Sequence, residues 1–491
     1  MSGIAGILAP NQEKLIHKML SKIKYRGTSQ PQIWTNMHTT MGTIGLKAVF
    51  QKRGLSSTPS DTGAIVFDGR LTNRKKLRKI LKSHDMQHEA SSEVVLHGFE
   101  ENKMKIFEMI DGEFALGLAN NDQLVLARDR LGIRPLYIGF YEGNLCFASE
   151  IKALIGLVDK IHEFPPGHFL ISDMGLFPYN PYLPEEIDLE NAGESANQLV
   201  DVLDDSVKEA IPKNIDIGVW LSGGVDSSVL ASLSRPYVDQ LYTFSAGMKG
   251  APDLKFAREV ADHIEAQHHE RIYTEKDMEK VLEKVIYLLE SFDAPLVRST
   301  IANYLVAELA ADYVPYVLSG EGGDELFAGY DYQKECDSGV ELMLSVQDSI
   351  AALHNTALQR VDRSAAAHGT YAAVPYLHPD VVRYALAVPS KWKIKGPKAV
   401  EKWPLRKGLS DRLPDSIIWR KKVKFWQGAG AAHAMEDMAE SKISDSEFES
   451  ERIVGPNFLI KSKEELHYYR IFKSFFRDNV PLDEVGRTEH I

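Results

Sequence analysis

A short stretch rich in serine and glycine has residue types and a spacing that suit the binding of a phosphate chain. It reads Leu-Ser-Gly-Gly-Val-Asp-Ser-Ser at residues 221–228. The apolar run 217–221 predicts a buried strand, and apolar residues at helical spacing predict a helix over 226–233. Glycines at 223 and 224 allow a tight turn, which directs backbone N–H groups and the positive helix end toward an anion. We therefore predict a pyrophosphate site at this turn.

The order of these residues indicates which nucleotide is bound. The stretch contains neither G-x-x-x-x-G-K-[ST] nor G-x-G-x-x-G, which excludes the Walker and dinucleotide fingerprints. It resembles the PP-loop of ATP pyrophosphatases, S-G-G-x-D-S, in which ATP is split between its α and β phosphates. For so short a match, the alternative is a glycine turn without a chemical role. The resemblance implies that ATP is bound by Leu221, Ser222, Gly223, Gly224, Val225, Asp226 and Ser227.

A second glycine-rich turn follows another apolar run. Residues 314–318 predict a strand, and Ser-Gly-Glu-Gly-Gly-Asp-Glu follows at 319–325. Open α/β sheets bind ligands beyond the carboxyl ends of their strands, so both turns are expected to face one ligand. Ser319 and Gly320 are accordingly candidates for contact with the nucleotide.

Three acids on these turns are candidates for chemistry. Asp226 and Asp324 are predicted to hold Mg²⁺, which prefers a few carboxylates together with phosphate oxygens and water. Each could instead be an N-cap or first-turn acid of a helix. Glu321 lies among small residues in its turn, so it is poorly shielded and suited to meeting a substrate cation or accepting a proton.

Length, charge and cysteine content limit the class of protein. A chain of 491 residues predicts two or three domains, and a net charge of −12 argues against a nucleic-acid-binding protein. Cys146 and Cys336 are too few for a disulfide framework and indicate a reducing compartment. No apolar run is long enough to cross a membrane and no signal-peptide pattern occurs, so we expect a cytoplasmic protein without a membrane partner.

The chain has two unlike parts, which we place at 1–185 and 186–491. In the first part, apolar or alternating runs between glycine-containing turns predict stacked sheets, with a helix over 72–82. The Pro-rich passage 177–184 predicts a linker, after which apolar runs alternate with helical stretches and predict a doubly wound parallel sheet. Strands of the first part are predicted at 3–9, 65–67, 115–119, 124–127, 136–140, 145–148 and 168–172.

Further motifs extend the resemblance over essentially the whole chain, and together they resemble the class-B, glutamine-dependent asparagine synthetases. The resemblance implies an α+β N-terminal domain of the Ntn amidotransferase type, a sandwich of antiparallel sheets. An α/β PP-loop ATP pyrophosphatase domain is implied to follow it. The matching segments are 128–137, 148–154, 247–255 beside the adenine, 419–422 and 462–470.

The resemblance also implies a reaction. The family adenylates the aspartate side chain with MgATP, and ammonia then attacks the acyl carbon to give asparagine, AMP and pyrophosphate. By position, Phe244 and Gly247 are implied to contact the nucleotide, and Glu321 to assist attack by the amine. Lys422 is implied to contact the phosphates as charge develops, although the run 420–424 could instead be a solvated basic segment.

Several residues near the implied aspartate pocket depart from the family pattern. Two family threonines are replaced by Pro-Leu at 295–296, although Arg298 remains as a cation for the substrate carboxylate. The family segment Glu-x-Arg-x-Pro-Phe-Leu-Asp appears as Tyr-Ala-Ala-Val-Pro-Tyr-Leu-His at 371–378. The other nearby cations, Lys398 and Lys402, are expected to face solvent.

The N-terminal part departs from the family where its glutaminase chemistry should lie. The family exposes an N-terminal cysteine as nucleophile, and this chain has Ser2 there. The family's oxyanion-stabilising Asn-Gly-Glu is replaced by Asp68, Gly69 and Arg70, and its amine-binding Asp by Ser91. Loss of one preorganised donor costs about a hundredfold or more in rate. We therefore expect a degenerate glutaminase site and dependence on free ammonia.

Two alternatives remain open at this point. One is another amide synthetase of the superfamily, such as a β-lactam synthetase, which cyclises an internal amine and carries Tyr at the position of Glu321. The other is a non-catalytic homologue, which the intact glycine turns, Asp226, Asp324 and Lys422 argue against. The resemblance further implies a homodimer and small-molecule partners, namely ammonia and aspartate or a related carboxylate.

Overall fold

The chain divides into two compact units, one formed by Met1–Pro181 with Phe476–Val485 and the other by Tyr182–Phe475 with Gly486–Ile491. The expected domain boundary at residue 185 lies outside the described residues. The computed structural model describes residues 2–46, 55–57, 63–81, 90–184, 191–396, 399–422, 428–430, 434–455, 458–477 and 480–488.

Two six-stranded sheets, antiparallel throughout, form the first unit. The strands are β1 (Ser2–Ile7), β2 (Gln32–Thr35), β3 (Thr40–Gly45), β4 (Leu55–Ser57), β5 (Gly63–Leu71), β6 (Gly112–Asn120), β7 (Gln123–Arg128), β8 (Tyr137–Tyr141), β9 (Asn144–Ala148), β10 (Ile161–Glu163), β11 (His168–Ile171) and β12 (Gly175–Pro178). One sheet has the order β10-β8-β9-β1-β3-β2 and the other β12-β11-β7-β6-β5-β4.

The two sheets pack face to face, and helices cover their outer faces. Ile4 and Phe147 of one sheet meet Val66 and Leu126 of the other in a common apolar cluster. The second sheet is therefore buried on both faces, which explains why β6 is apolar or small at nearly every position rather than alternating. Helices of this unit run over Glu13–Lys22, Arg74–Ile80, Ser91–Asn102, Ile106–Met109 and Ile151–Leu154.

The second unit is built on a five-stranded sheet in which every neighbouring pair is parallel. Its strands are β13 (Ile217–Trp220), β14 (Tyr242–Met248), β15 (Gln267–Tyr273), β16 (Tyr316–Leu318) and β17 (Tyr371–Ala373), in the order β15-β14-β13-β16-β17. The chain moves outward from β13 in one direction through β14 and β15, then returns to β16 on the other side. Such a switch point opens a crevice at the carboxyl ends of the central strands.

Helices connect these strands. The helix Ala294–Ala311 is apolar around most of its surface and largely buried, and the Asp293 side chain caps it by accepting from Leu296 N at 3.0 Å. The other helices after residue 190 run over Ala192–Ala210, Val225–Ser234, Pro252–His263, Glu275–Leu289, Gly323–Leu326, Gly339–Ala351, Ala357–Ala367, Pro379–Ala387, Ser390–Lys393, Trp403–Gly408, Asp415–Ile418, Ala434–Lys442, Asp445–Glu451 and Lys463–Phe476. A two-stranded pair, β18 (Ile453–Val454) and β19 (Phe458–Leu459), completes the unit.

Both predicted fold classes are confirmed, with differences in individual elements. The helix expected over 72–82 is observed at Arg74–Ile80. The first residues of the expected linker 177–184 form the end of β12, an exposed edge strand in which Pro178 is tolerated. Within the described ranges, we find no helix long and apolar enough to span a membrane.

Candidate functional site

A cavity of about 650 Å³ lies in the second unit at the carboxyl ends of β13 and β16. Both glycine-rich turns contribute to its wall, as the sequence predicts for a shared ligand. The predicted site residues in its lining are Leu221, Ser222, Gly224, Val225, Asp226, Ser227, Phe244, Ser319, Gly320, Glu321, Asp324 and Lys422.

The first turn is held by its own serines. Ser222 Oγ accepts from Gly224 N at 3.3 Å and lies 3.1 Å from Ser227 Oγ. The helix Val225–Ser234 starts at once, and no side chain caps its N-terminus in the part of the chain that the structure describes. The N–H groups of its first turn can therefore donate to a ligand, which suits an anionic phosphate.

Two predicted nucleotide-binding glycines face a helix instead of the cavity. Gly223 has φ +71°, and a Cβ there would lie 2.6 Å from Ala257 N on the helix Pro252–His263. A Cβ at Gly247 would lie 3.1 Å from Leu254 Cγ on the same helix. Neither glycine is in the cavity lining among the described residues. Both allow close approach of backbone and helix, and so shape the site indirectly.

Asp226 and Asp324 share a buried ammonium group. Lys402 Nζ contacts the Asp226 carboxylate and lies 2.7 Å from Asp324 Oδ1, and Lys422 Nζ lies 2.5 Å from the same oxygen. Burial raises the pKa of Asp226 and outweighs the opposing charge of Lys402. At Asp324 burial acts in the same direction, but Lys402 and Lys422 together hold its pKa below the usual range. The cluster thus balances two acids against two cations.

The two acids fit a hard cation. Asp226 Oδ1 is buried, and it has no hydrogen-bond partner within the described ranges. A buried carboxylate oxygen without a donor is costly, and a cation would satisfy it. Mg²⁺ accepts such oxygens together with phosphate oxygens, so the residues present are compatible with the ion that the sequence predicts.

The location of the Lys402 side chain differs from the one expected from the sequence. It was expected to face solvent, but it is only 4% exposed and lies between the two acids. It precedes the helix Trp403–Gly408 and has a left-handed backbone with φ +56°. Its partner Asp226 is 176 positions away, so no local pattern could reveal the contact. Lys398, which was given the same expectation, lies outside the described residues.

Glu321 contacts a residue that sequence reasoning missed. Arg360 Nη2, on the helix Ala357–Ala367, donates to Glu321 Oε1 at 2.5 Å. Both side chains line the cavity and keep partial exposure, 14% for Arg360 and 19% for Glu321. Arg360 is one of several polar residues on an amphipathic helix, so neither its residue type nor its position in the sequence indicated a functional role.

Arg298, the predicted cation for a substrate carboxylate, is held by two acids. Its guanidinium lies 3.0 Å from Glu464 and 3.1 Å from Glu436. Burial raises the pKa of Glu464 to about 7, against the opposing charge of Arg298. The structure does not bring Arg298 into the cavity lining among the residues it describes. Pro295 and Leu296, one turn earlier on the same helix, do line the cavity.

The first unit brings Ser2 and Asp68 together in a buried cluster. The backbone N–H of Ser2 donates to Asp68 Oδ1 at 2.6 Å. Arg26 lies beside both, since its Nη2 is 3.1 Å from Asp68 Oδ2 and its Nε donates to the Ser2 carbonyl at 2.9 Å. Arg26 also pairs with Glu150 at 2.7 Å, and Lys152 contacts that acid. These charges form an ionic network in which the Asp68 and Arg26 side chains are fully buried.

The other predicted glutaminase positions have structural partners. Gly69 has φ +117°, and a Cβ there would lie 1.9 Å from Glu113 O, so only glycine fits. Arg70 Nε pairs with Glu113 at 2.8 Å. Ser91 Oγ accepts from Leu71 N at 3.1 Å and so links its helix to β5.

Comparison with known proteins identifies the family. The family model described as Asparagine synthase matches residues 198–347 and 343–477, and the model described as Glutamine amidotransferase domain matches residues 1–165. Asparagine synthetase (glutamine-hydrolyzing) 2 of Arabidopsis thaliana is 34% identical over 84% of this chain and 76% of its own length.

Two further relatives come from distant organisms. The probable glutamine-hydrolyzing asparagine synthetase of Dictyostelium discoideum is 30% identical over 99% of this chain and 96% of its own length. Glutamine-hydrolyzing asparagine synthetase B of Escherichia coli (strain K12) is 32% identical over 84% of this chain and 79% of its own. These relatives and both family matches show that the chain belongs to the asparagine synthetase family of AMP-forming carbon–nitrogen ligases.

Proposed function

We propose that this chain makes asparagine from aspartate, ATP and ammonia, and that it does not hydrolyse glutamine. The observation that carries the synthetase part is the cavity at the switch point of the parallel sheet. There a helix N-terminus, two acids and two lysines lie together with Glu321. The observation that supports the nitrogen source is the buried Asp68–Arg26 pair beside Ser2.

ATP is bound by the first glycine turn. The N–H groups after Gly224 and the hydroxyls of Ser222 and Ser227 donate to its phosphate oxygens. Asp226 and Asp324 hold Mg²⁺, which neutralises charge on the phosphates when it is bound. Lys422 stabilises the negative charge that develops on the leaving pyrophosphate, because its ammonium group is a compact point charge close to these acids.

Phe244, Gly247, Ser319 and Gly320 complete the nucleotide site in this proposal. Phe244, Ser319 and Gly320 contribute cavity wall. Gly247 acts by letting β14 pack closely on the helix Pro252–His263. Glu321 lies on the same turn as Ser319 and Gly320, which suits a group that accepts a proton from the attacking amine.

The first unit lacks the electrostatics that glutamine hydrolysis needs. The tetrahedral intermediate of amide hydrolysis carries an oxyanion, which must meet hydrogen-bond donors. Asp68 presents a carboxylate where the family has an asparagine, so it accepts hydrogen bonds where the oxyanion needs a donor. Ser2 offers a hydroxyl in place of a thiol, and its backbone N–H is already bonded to Asp68. We infer that this site has become structural.

The proposal also covers the cellular compartment, the subunit number and the partners of the enzyme. We infer a cytoplasmic homodimer, in keeping with the two free cysteines and with the family resemblance. Its partners are the small molecules aspartate, ammonia and MgATP, with no nucleic acid and no membrane. Light scattering coupled to size exclusion would give the subunit number directly.

Measurement of the products formed from ATP and aspartate tests the proposal. The purified chain is incubated with MgATP and ammonium, with or without aspartate, and AMP, pyrophosphate and asparagine are measured. We expect all three to form only when aspartate is present, and Asp324→Asn to abolish them. The absence of aspartate-dependent AMP would reject asparagine synthesis and direct the search to other carboxylates.

A further inference from the structure

The lysines and arginines in the cavity wall contact different acids. Lys402 and Lys422 contact the two acids of the Mg²⁺ cluster. Arg406 and Arg420 are held by Glu401 and Asp253, each at 2.5 Å. Lys421 also lines the wall and is exposed. Arg360 contacts Glu321, the acid assigned to the amine step. A cation therefore lies beside the acid that is proposed to act when ammonia attacks the substrate.

A guanidinium in this position suits a carboxylate ligand. Its planar fork of donors matches the two oxygens of a carboxylate, which gives both affinity and orientation. The Arg360–Glu321 pair is only partly shielded, and its members line the cavity wall. A ligand carboxylate that replaces Glu321 keeps Arg360 paired with an acid, so the exchange does not leave the guanidinium without a partner.

The other arginine considered for this role is already matched by acids. Arg298 lies between Glu464 and Glu436 in the helical part of the unit. The positions of the family's two threonines are here Pro295 and Leu296, which line the cavity without a hydroxyl to donate. Arg360 lines the cavity and has a guanidinium that can bind such a carboxylate.

We propose that Arg360 binds the α-carboxylate of the acceptor amino acid and that the acceptor thereby displaces Glu321. This inference rests on the proposed function. Glu321 is held by Arg360; with acceptor bound, Glu321 is released to face the reacting carbon. Ammonia then forms the C–N bond, the acyl C–O bond to AMP breaks, and a proton passes from the nitrogen to Glu321. Arg360 is a binding residue for the acceptor and a positioning residue for Glu321.

The test compares two acceptors that differ only at the α-carboxylate. Aspartate and 3-aminopropanoate share the carboxylate to be adenylated and the amine, but the second lacks the group assigned to Arg360. AMP formation with saturating MgATP and ammonium gives kcat/KM for each acceptor. The variants are Arg360→Gln, Arg360→Lys and, as a matched control, Arg258→Gln. Arg258 forms an Arg–Glu pair with Glu270 at 2.6 Å on the surface of the same unit.

We expect the wild type to prefer aspartate by roughly 10- to 100-fold, the range for charge-assisted hydrogen bonds. Arg360→Gln should bring this ratio close to one by raising KM for aspartate, with KM for ATP unchanged. Arg360→Lys should give an intermediate ratio, and Arg258→Gln the wild-type ratio.

An unchanged ratio in the Arg360 variants would overturn the assignment while leaving asparagine synthesis intact. If Arg360→Gln does not fold, the ratio in Arg360→Lys decides in the same way. A wild type that makes no AMP with aspartate would instead reject the proposed function, and this inference with it.

Discussion

At the scale of single residues, the candidate site combines two glycine turns with a cluster of two acids and two lysines. The motif residues were predictable because their types and spacing have a local physical reason. Lys402 and Arg360 were not, since each acts through a partner far away in sequence. A lysine or arginine on a helix gives no signal of burial until the fold brings an acid to it. Arg26 beside Asp68 is the same kind of residue in the first unit.

Removal of Lys402 should destabilise the fold and abolish turnover. Lys402→Ala leaves the partly buried Asp226 and Asp324 side by side without their shared cation, which should cost up to about 3 kcal/mol, less than breaking a fully buried pair. We expect AMP formation to fall at least about a hundredfold as well. Urea unfolding and the AMP assay measure the two effects.

A lysine on the surface of the same unit provides the control for Lys402. Lys442 pairs with Glu279 at 2.7 Å and both side chains are well exposed. Lys442→Ala should therefore change the free energy of unfolding by at most about 1 kcal/mol and leave turnover unchanged. Equal stability losses in the two variants would mean that Lys402 is not part of a buried ionic cluster.

At the scale of elements, the strand-to-helix turns were the most predictable parts of the molecule. Strands β13 and β16 were expected from apolar runs, and the helix after Gly224 from its spacing. The edge strands β2 and β12 were not, because they are short and largely exposed and so lack a hydrophobic pattern. The buried strand β3 was also not predicted, because glycines and threonines separate its few large apolar residues.

The first glycine turn should tolerate no side chain at Gly223. In Gly223→Ala the new Cβ would meet Ala257 N at 2.6 Å, so the turn must move away from the helix Pro252–His263. We expect KM for ATP to rise about tenfold or more, in addition to about 1–3 kcal/mol of backbone strain. Gly156 is the control, since it has a similar φ of +72° with nothing near its Cβ position. Gly156→Ala with the same effect on KM would contradict this account.

The end of the helix Ala357–Ala367 should make the second unit sensitive to acid. Burial lowers the pKa of His368 from 6.5 to about 4. Between those values the unfolded chain binds a proton that the folded chain does not, so stability is lost as pH falls from about 6.5 to 4. The loss from this residue is of the order of 3 kcal/mol.

Replacement of His368 should remove that dependence. We expect His368→Phe to show a flatter decline in the free energy of unfolding between pH 7 and pH 4.5 than the wild type. His263 is exposed and serves as the control, so His263→Gln should follow the wild-type curve. Parallel curves for wild type and His368→Phe would show that His368 is not held neutral by the fold.

At the scale of the whole molecule, one chain combines a unit matched by the asparagine synthase model with a unit matched by the glutamine amidotransferase model. The two fold classes could be predicted from the sequence, because strand patterns and family motifs extend over most of its length. The ionic network around Asp68 could not. Substitution at Asp68 shows that a donor is lost, but only the fold shows that Arg26, which also pairs with Glu150, lies against the acid that replaces it.

The source of the transferred nitrogen is the most direct test of the central claim. The wild-type chain is given aspartate, MgATP, unlabelled ammonium and glutamine labelled with ¹⁵N in its amide, and the asparagine formed is analysed by mass spectrometry. A parallel reaction carries the label in ammonium instead. We predict that the amide nitrogen of asparagine carries ¹⁵N only in the second reaction. Label from glutamine in asparagine would show that the first unit still hydrolyses glutamine and would contradict the account.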